Sequence, residues 1–121
     1  MYALRVRVGG TYLLRDEVLS KLSELNIGYR VGIAGSVGRN RYNKRSDIDI
    51  VVDTDSLTIE EIKRIKEHLS CFQRKVDVLQ LVLLKEEDLE LDAFCRELDL
   101  PVNEDSVYKT VSREVIWCDS K

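Results

Sequence analysis

At 121 residues the chain is long enough to bury one core and too short for two, so a single domain over residues 1–121 is expected. Hydrophobic residues make up 44% and charged residues 34%, with one proline and no low-complexity tract, which excludes a disordered polymer. The 19 basic and 22 acidic residues are mixed along the chain to a net charge of -3, which argues against bulk nucleic-acid backbone as the favoured partner.

From Met1 to Gly10, Arg5 and Arg7 alternate with Leu4, Val6 and Val8. This pattern is strand-like and lacks the apolar region of a signal peptide, so export is not expected and the chain reads as cytoplasmic. Leu14, Val18, Leu22 and Leu25 then form one apolar stripe and predict a helix ending near Asn26 to Gly28. Tyr29 to Ala34 reads as a short buried strand that delivers the turn Gly35-Ser36-Val37-Gly38. Ile48 to Val52, β-branched apart from Asp49, predicts a central strand with Asp47 and Asp49 on the same side, because alternate residues share a face.

Thr58-Ile59-Glu60-Glu61 has the spacing of a capping box, and Ile59, Ile62, Ile65 and Leu69 follow as the buried stripe of a second helix. Lys75 to Leu84 predicts a third buried strand carrying one carboxylate, Asp77. Its apolar run falls far short of the roughly 20 residues a membrane-spanning helix needs. Lys85 to Leu98 reads as a helix with Leu89, Ala93 and Phe94 facing inward and Pro101 stopping it. Ser106 to Cys118 reads as a helix followed by a short strand at Val115 to Trp117. The cysteines Cys71, Cys95 and Cys118 are far apart and lack any C-x-x-C spacing, so they read as reduced core residues rather than a disulfide framework or zinc site. The order of elements implies an α/β (α+β) fold, a small mixed sheet with helices packed on it.

If the strands carrying Asp47, Asp49 and Asp77 are neighbours, three carboxylates share a partly desolvated site and repel one another, and protonation or a bound cation relieves the repulsion. Oxygen ligands without thiolate or imidazole select magnesium or manganese. Two such ions activate an attacking hydroxyl and stabilise the leaving group of an in-line phosphoryl displacement. The Gly35-Ser36 turn supplies the complement, because its backbone N–H groups and a serine hydroxyl donate to phosphate oxygens.

Gly35-Ser36, ten residues, Asp47-Ile48-Asp49 and a later strand aspartate at Asp77 together resemble the G-S-x10-D-x-D signature of the DNA polymerase β-like nucleotidyltransferase superfamily. The resemblance covers Tyr29 to about Leu81. The local form Gly-Ser-Val-Gly-Arg and then Ser-Asp-Ile-Asp-Ile looks like the minimal nucleotidyltransferases, many of which pair with a HEPN-domain protein as antitoxin and toxin. The resemblance implies a polymerase β-like fold, with Asp47 and Asp49 holding two Mg2+ or Mn2+ ions. It implies that Asp77 helps to hold the catalytic ion and accepts the proton of the attacking hydroxyl. Gly35 and Ser36 would bind the triphosphate, with ATP as expected substrate, and Arg39 would neutralise phosphate charge as pyrophosphate leaves.

Other residues stay open between two readings. The basic cluster Arg39, Arg41, Lys44 and Arg45 reads as a solvated loop or as a contact for phosphate, RNA or an acidic partner. Tyr42 stacks on a base or packs on the fold, and Trp117 is core or interface. His68 reads as a helix-terminal surface residue, and Asp53 and Asp55 as turn residues too far along to share the metals of Asp49.

The leading functional expectation is transfer of AMP to a hydroxyl of a partner protein, such as a HEPN-type toxin, which silences it. The alternatives are a binding antitoxin that acts by occlusion, and a transferase acting on a small molecule or an RNA end. Self-association is a further possibility for the partner surface.

Overall fold

A computed structural model of the chain describes residues 13–118, so the strand-like stretch from Met1 to Gly10 lies outside the described residues. The elements are α1 (Leu14–Leu22), β1 (Val31–Ala34), α2 (Gly35–Gly38), β2 (Ile48–Val52), α3 (Ile59–His68), β3 (Val76–Gln80), α4 (Leu81–Glu97), α5 (Val107–Glu114) and β4 (Ile116–Trp117). The strands form one mixed sheet in the order β3-β2-β1-β4. β1 runs antiparallel to β2 and β4, whereas β2 and β3 are parallel. Among the described residues no helix is long and apolar enough to cross a membrane.

Alternation along the strands divides the apolar residues between two faces. Val31, Ile33, Ile48, Ile50, Val52 and Val76 pack with Val18 and Leu22 of α1 and Ile65 and Leu69 at α3. On the other face, Ala34 and Val51 pack with Val111 of α5 and the partly buried Leu79 and Trp117. Gly32 is obligatory for closing the sheet, because a Cβ there would stand 2.6 Å from the carbonyl oxygen of Ile116 in β4.

Several sequence expectations need correction. Helix α1 stops at Leu22, earlier than its apolar stripe suggests; the N–H of Leu25 bonds to the carbonyl of Leu22, and Leu25 still packs on the core from a turn. The capping box of α3 forms as read, with Thr58 and Glu61 exchanging two 3.1 Å hydrogen bonds. Ile59, however, is 71% exposed at the first position of α3, and only Ile62, Ile65 and Leu69 of the stripe turn inward.

Strand β3 ends at Gln80 because its neighbour ends there: Gln80 pairs with Val52, the last residue of β2. Without a ladder partner among the described residues the apolar run from Leu81 to Leu84 winds into the first turn of α4, four residues before the predicted start. Leu89, Ala93 and Phe94 face solvent, and the buried positions of α4 are Asp88 and Asp92. The inversion has an electrostatic cause: α5 presents Lys109 to this helix, and its ammonium stands 3.1 Å from Asp92 Oδ2 and 3.7 Å from Asp88 Oδ2.

Cys71 is exposed and Cys95 half-buried, so neither is a core residue, whereas the half-buried Cys118 packs against the main apolar cluster. Tyr42 packs on the main cluster with the Arg74 guanidinium 5.2 Å from its ring centroid. His68 ties α3 to α1 through Nε2, 2.8 Å from the Lys21 carbonyl oxygen and 3.1 Å from Glu24 Oε1. Asp53 pairs with Arg30 at 3.0 Å, and that guanidinium also lies 4.0 Å from the ring centroid of Trp117.

Candidate active site

Strand β1 ends in Ala34 and the chain turns at once into α2, so Gly35 is a helix start rather than an open turn. Its φ of +72° lies in the left-handed region, and a Cβ added there would run into the carboxylate of Asp49. The absence of a side chain is what lets Asp49 lie against the backbone at the start of α2. The N–H of Arg41 bonds to the carbonyl of Ser36 at 2.8 Å, folding the chain back past the end of the helix.

The return to β2 is held from a distance. Arg74, at the approach to β3, donates from Nη1 to the carbonyls of Asn43 at 2.7 Å and Ser46 at 2.8 Å, pinning the segment immediately before Asp47. Asn43 accepts from the Arg45 N–H at 2.7 Å, which closes the turn. Nothing in the spacing of motifs points to Arg74; its contacts span 28 to 31 residues and exist only in the folded chain.

Asp49 and Asp77 are register partners on the parallel strands β2 and β3. They lie on the face that carries Val51 and Leu79, under α5, and Asp47 precedes Asp49 by two positions. Burial raises the pKa of Asp49, the charges of Asp77 and then Asp47 raise it further, and Arg39 opposes them. Lys75 lies 3.8 Å from Asp77. An open cleft of about 480 Å³ covers this face, and Gly35, Arg39, Asp49, Lys66, Asp77 and Glu114 are among its walls. Asp47 and Ser36 are not among them, and Arg39 is held by Glu114 of α5 at 2.8 Å.

Sequence reading missed Lys66 and Glu114. Each sits in a helix with no local motif, and only the packing of α3 and α5 around the sheet brings them to the cleft.

Among the described residues no group of three or more His, Cys, Asp or Glu side chains is drawn together as a ligand set. The chemistry of the donors nonetheless fits a hard divalent cation: oxygen atoms only, and a carboxylate whose proton affinity is raised by burial and then by two like neighbours, a repulsion that a cation removes. The site therefore combines an anionic strand pair, a glycine-opened backbone and flanking cations, an arrangement suited to phosphate chemistry.

The family model of the nucleotidyltransferase domain matches residues 15–117. This chain belongs to the nucleotidyltransferase domain family. The match runs from α1 to β4, and the mixed α+β architecture agrees with the polymerase β-like nucleotidyltransferase fold. No curated protein matches the chain. A nucleotidyltransferase transfers a nucleoside monophosphate from a nucleoside triphosphate, and members of the family typically employ a divalent metal ion.

Proposed function

We propose that this nucleotidyltransferase domain moves AMP from ATP to a hydroxyl group on a partner protein, with Asp47, Asp49 and Asp77 holding two Mg2+ ions. The observation that carries the reading is the register pair Asp49–Asp77 at the cleft, with Asp49 lying against Gly35. When bound, the ions would neutralise phosphate charge and lower the pKa of the acceptor hydroxyl.

The chain's own residues have the remaining tasks. Backbone N–H groups at Gly35 and Ser36, with the Ser36 hydroxyl, hold the triphosphate. The acceptor oxygen attacks the α-phosphorus in line, the bond to the bridging oxygen breaks, and pyrophosphate leaves. Asp77 accepts the hydroxyl proton. Arg39 exchanges Glu114 for the departing pyrophosphate and stabilises its charge.

The resemblance to minimal nucleotidyltransferases suggests a HEPN-type toxin as the acceptor and an antitoxin role. A second reading, neutralisation by occlusion without catalysis, is favoured by the apolar side chains that α4 exposes, including Leu89, Leu91 and Phe94. Incubation of the chain with Mg2+, each labelled nucleoside triphosphate and a co-expressed HEPN partner discriminates between them. Label on the partner that disappears with Asp47→Ala/Asp49→Ala supports transfer and names the base. An unlabelled partner that is still neutralised by the double variant sinks the enzymatic reading.

A further inference from the structure

Helix α4 turns charge inward and apolar side chains outward. Asp88 and Asp92 are 6% and 7% exposed. Lys109 donates to both oxygens of Asp92 and to the Asn103 carbonyl at 2.7 Å, but it reaches only Oδ2 of Asp88, at 3.7 Å. Among the described residues Asp88 Oδ1 is buried without a hydrogen-bond partner. Two carboxylates against one ammonium leave excess negative charge here, and a buried acceptor without a donor is costly.

Beside these groups, between α4 and α5, lies a groove of about 170 Å³ whose walls include Leu84, Glu87, Asp88, Leu91, Val107 and Tyr108. Leu91, Phe94 and Leu98 continue the apolar surface at helical spacing and are all about half exposed. Val107 also borders the cleft that holds Asp49 and Asp77, so groove and cleft share a wall.

We infer that the α4–α5 groove docks a segment of a partner protein that presents apolar side chains together with one lysine or arginine, whose N–H donates to Asp88 Oδ1. Charge selects this occupant over a second copy of the chain. The exposed surface of α4 carries Glu86, Glu87, Glu90 and Glu97 against only Lys85 and Arg96, so two such faces repel each other and a basic segment is attracted. The shared wall at Val107 leads a docked segment toward the carboxylates. The inference rests on the partner-protein half of the proposed function and adds where the partner is held and which side chain it brings.

A displayed library of random peptides, selected on the full-length chain, tests it. Enriched peptides are remade and titrated against the native chain and against Leu91→Glu, Asp88→Asn and Asp49→Asn, with thermal melts to verify that each variant is folded. The expected peptides combine apolar residues with a lysine or arginine and bind Leu91→Glu at least about tenfold more weakly. Replacing their basic residue by methionine weakens binding to the native chain about tenfold, and that loss vanishes on Asp88→Asn.

Asp49→Asn leaves peptide binding unchanged. Absence of binders, binders without a basic residue, or binders indifferent to Leu91→Glu overturn the inference. Self-association that Leu91→Glu abolishes in sedimentation also overturns it, in favour of a second copy. A chain that binds such peptides yet labels no acceptor leaves the docking site standing and sinks the catalytic reading, so the two failures are distinguishable.

Discussion

The Asp49 carboxylate occupies the space in which any side chain at position 35 would stand, so Gly35 and Asp49 are admissible only as a pair. The left-handed φ of Gly35 adds a second restriction. Gly35→Ala is expected to cost about 1 kcal/mol or more in urea unfolding and to remove most nucleotide transfer. Gly38→Ala, whose Cβ would stand 3.4 Å from the nearest atom, is expected to retain both. Full transfer by Gly35→Ala would detach Asp49 from the reaction.

Burial and the charges of Asp77 and Asp47 raise the pKa of Asp49 against the opposing Arg39. The folded state therefore holds its proton to higher pH than the unfolded chain does. Stability falls as pH rises from the ordinary carboxylate range through the raised value, and the penalty is complete above it. Asp49→Asn lacks this penalty and is expected to melt at or above the native temperature at neutral pH while losing transfer. Mg2+ is expected to raise the melting temperature of the native chain and not that of the variant. Melts from acid to neutral pH, with and without Mg2+, check both signs; a variant stabilised equally by Mg2+ would show that the ion binds elsewhere.

Arg74 donates to two carbonyls just before Asp47. Arg74→Met is expected to destabilise the chain by about 1 kcal/mol and to lower kcat more than KM, since Asp47 loses its fixed position while the triphosphate contacts remain. Single-turnover transfer with labelled ATP measures the split, and a change confined to KM would point to a direct nucleotide contact instead.

Glu114 holds Arg39 at 2.8 Å on the cleft wall. Glu114→Gln frees that guanidinium and is expected to tighten binding of nucleoside triphosphate, read by titration calorimetry, whereas Arg39→Gln weakens it. Unaltered affinity in both would remove Arg39 from the triphosphate site.

Lys109 is the counter-charge for the inward acids of α4. Burial works against its charge, but the hydrogen bond to Asp92 and the carboxylates of Asp88, Asp92 and Glu104 raise its pKa overall. Its contribution is present below the ordinary lysine range and is lost as pH rises through the raised value. Lys109→Met is expected to lower the melting temperature at neutral pH, and adding Asp88→Asn and Asp92→Asn to recover part of the loss. No recovery would mean that Lys109 stabilises through packing of its stem rather than through charge.

The capping box at Thr58, strand β2 from Ile48 to Val52, and the helix and short strand near the C-terminus were all readable, because each depends on neighbours within a few positions. The signature from Gly35 to Asp49 was readable as a fixed spacing of residue types along the chain, and it led to the nucleotidyltransferase domain family. The apolar run from Val76 to Leu84 suits strand and helix equally, and the chain changes conformation after Gln80, where its pairing with β2 ends. Leu89, Ala93 and Phe94 were misplaced because apolar character predicts burial only where no ion pair competes for the inward face.

The sequence alone determined that Ile48 to Val52 is a strand with Asp49 opposite in facing to its β-branched neighbours Ile48 and Ile50, since a period of two belongs to any extended backbone, and that the spacing from Gly35 to Asp49 is that of a nucleotidyltransferase signature. Tertiary structure alone decided that Asp77 stands opposite Asp49, that Arg74 holds the segment before Asp47, and that Lys109 draws Asp88 and Asp92 inward. These relationships join residues tens of positions apart, and their distances are set by strand register and helix packing rather than by local preference.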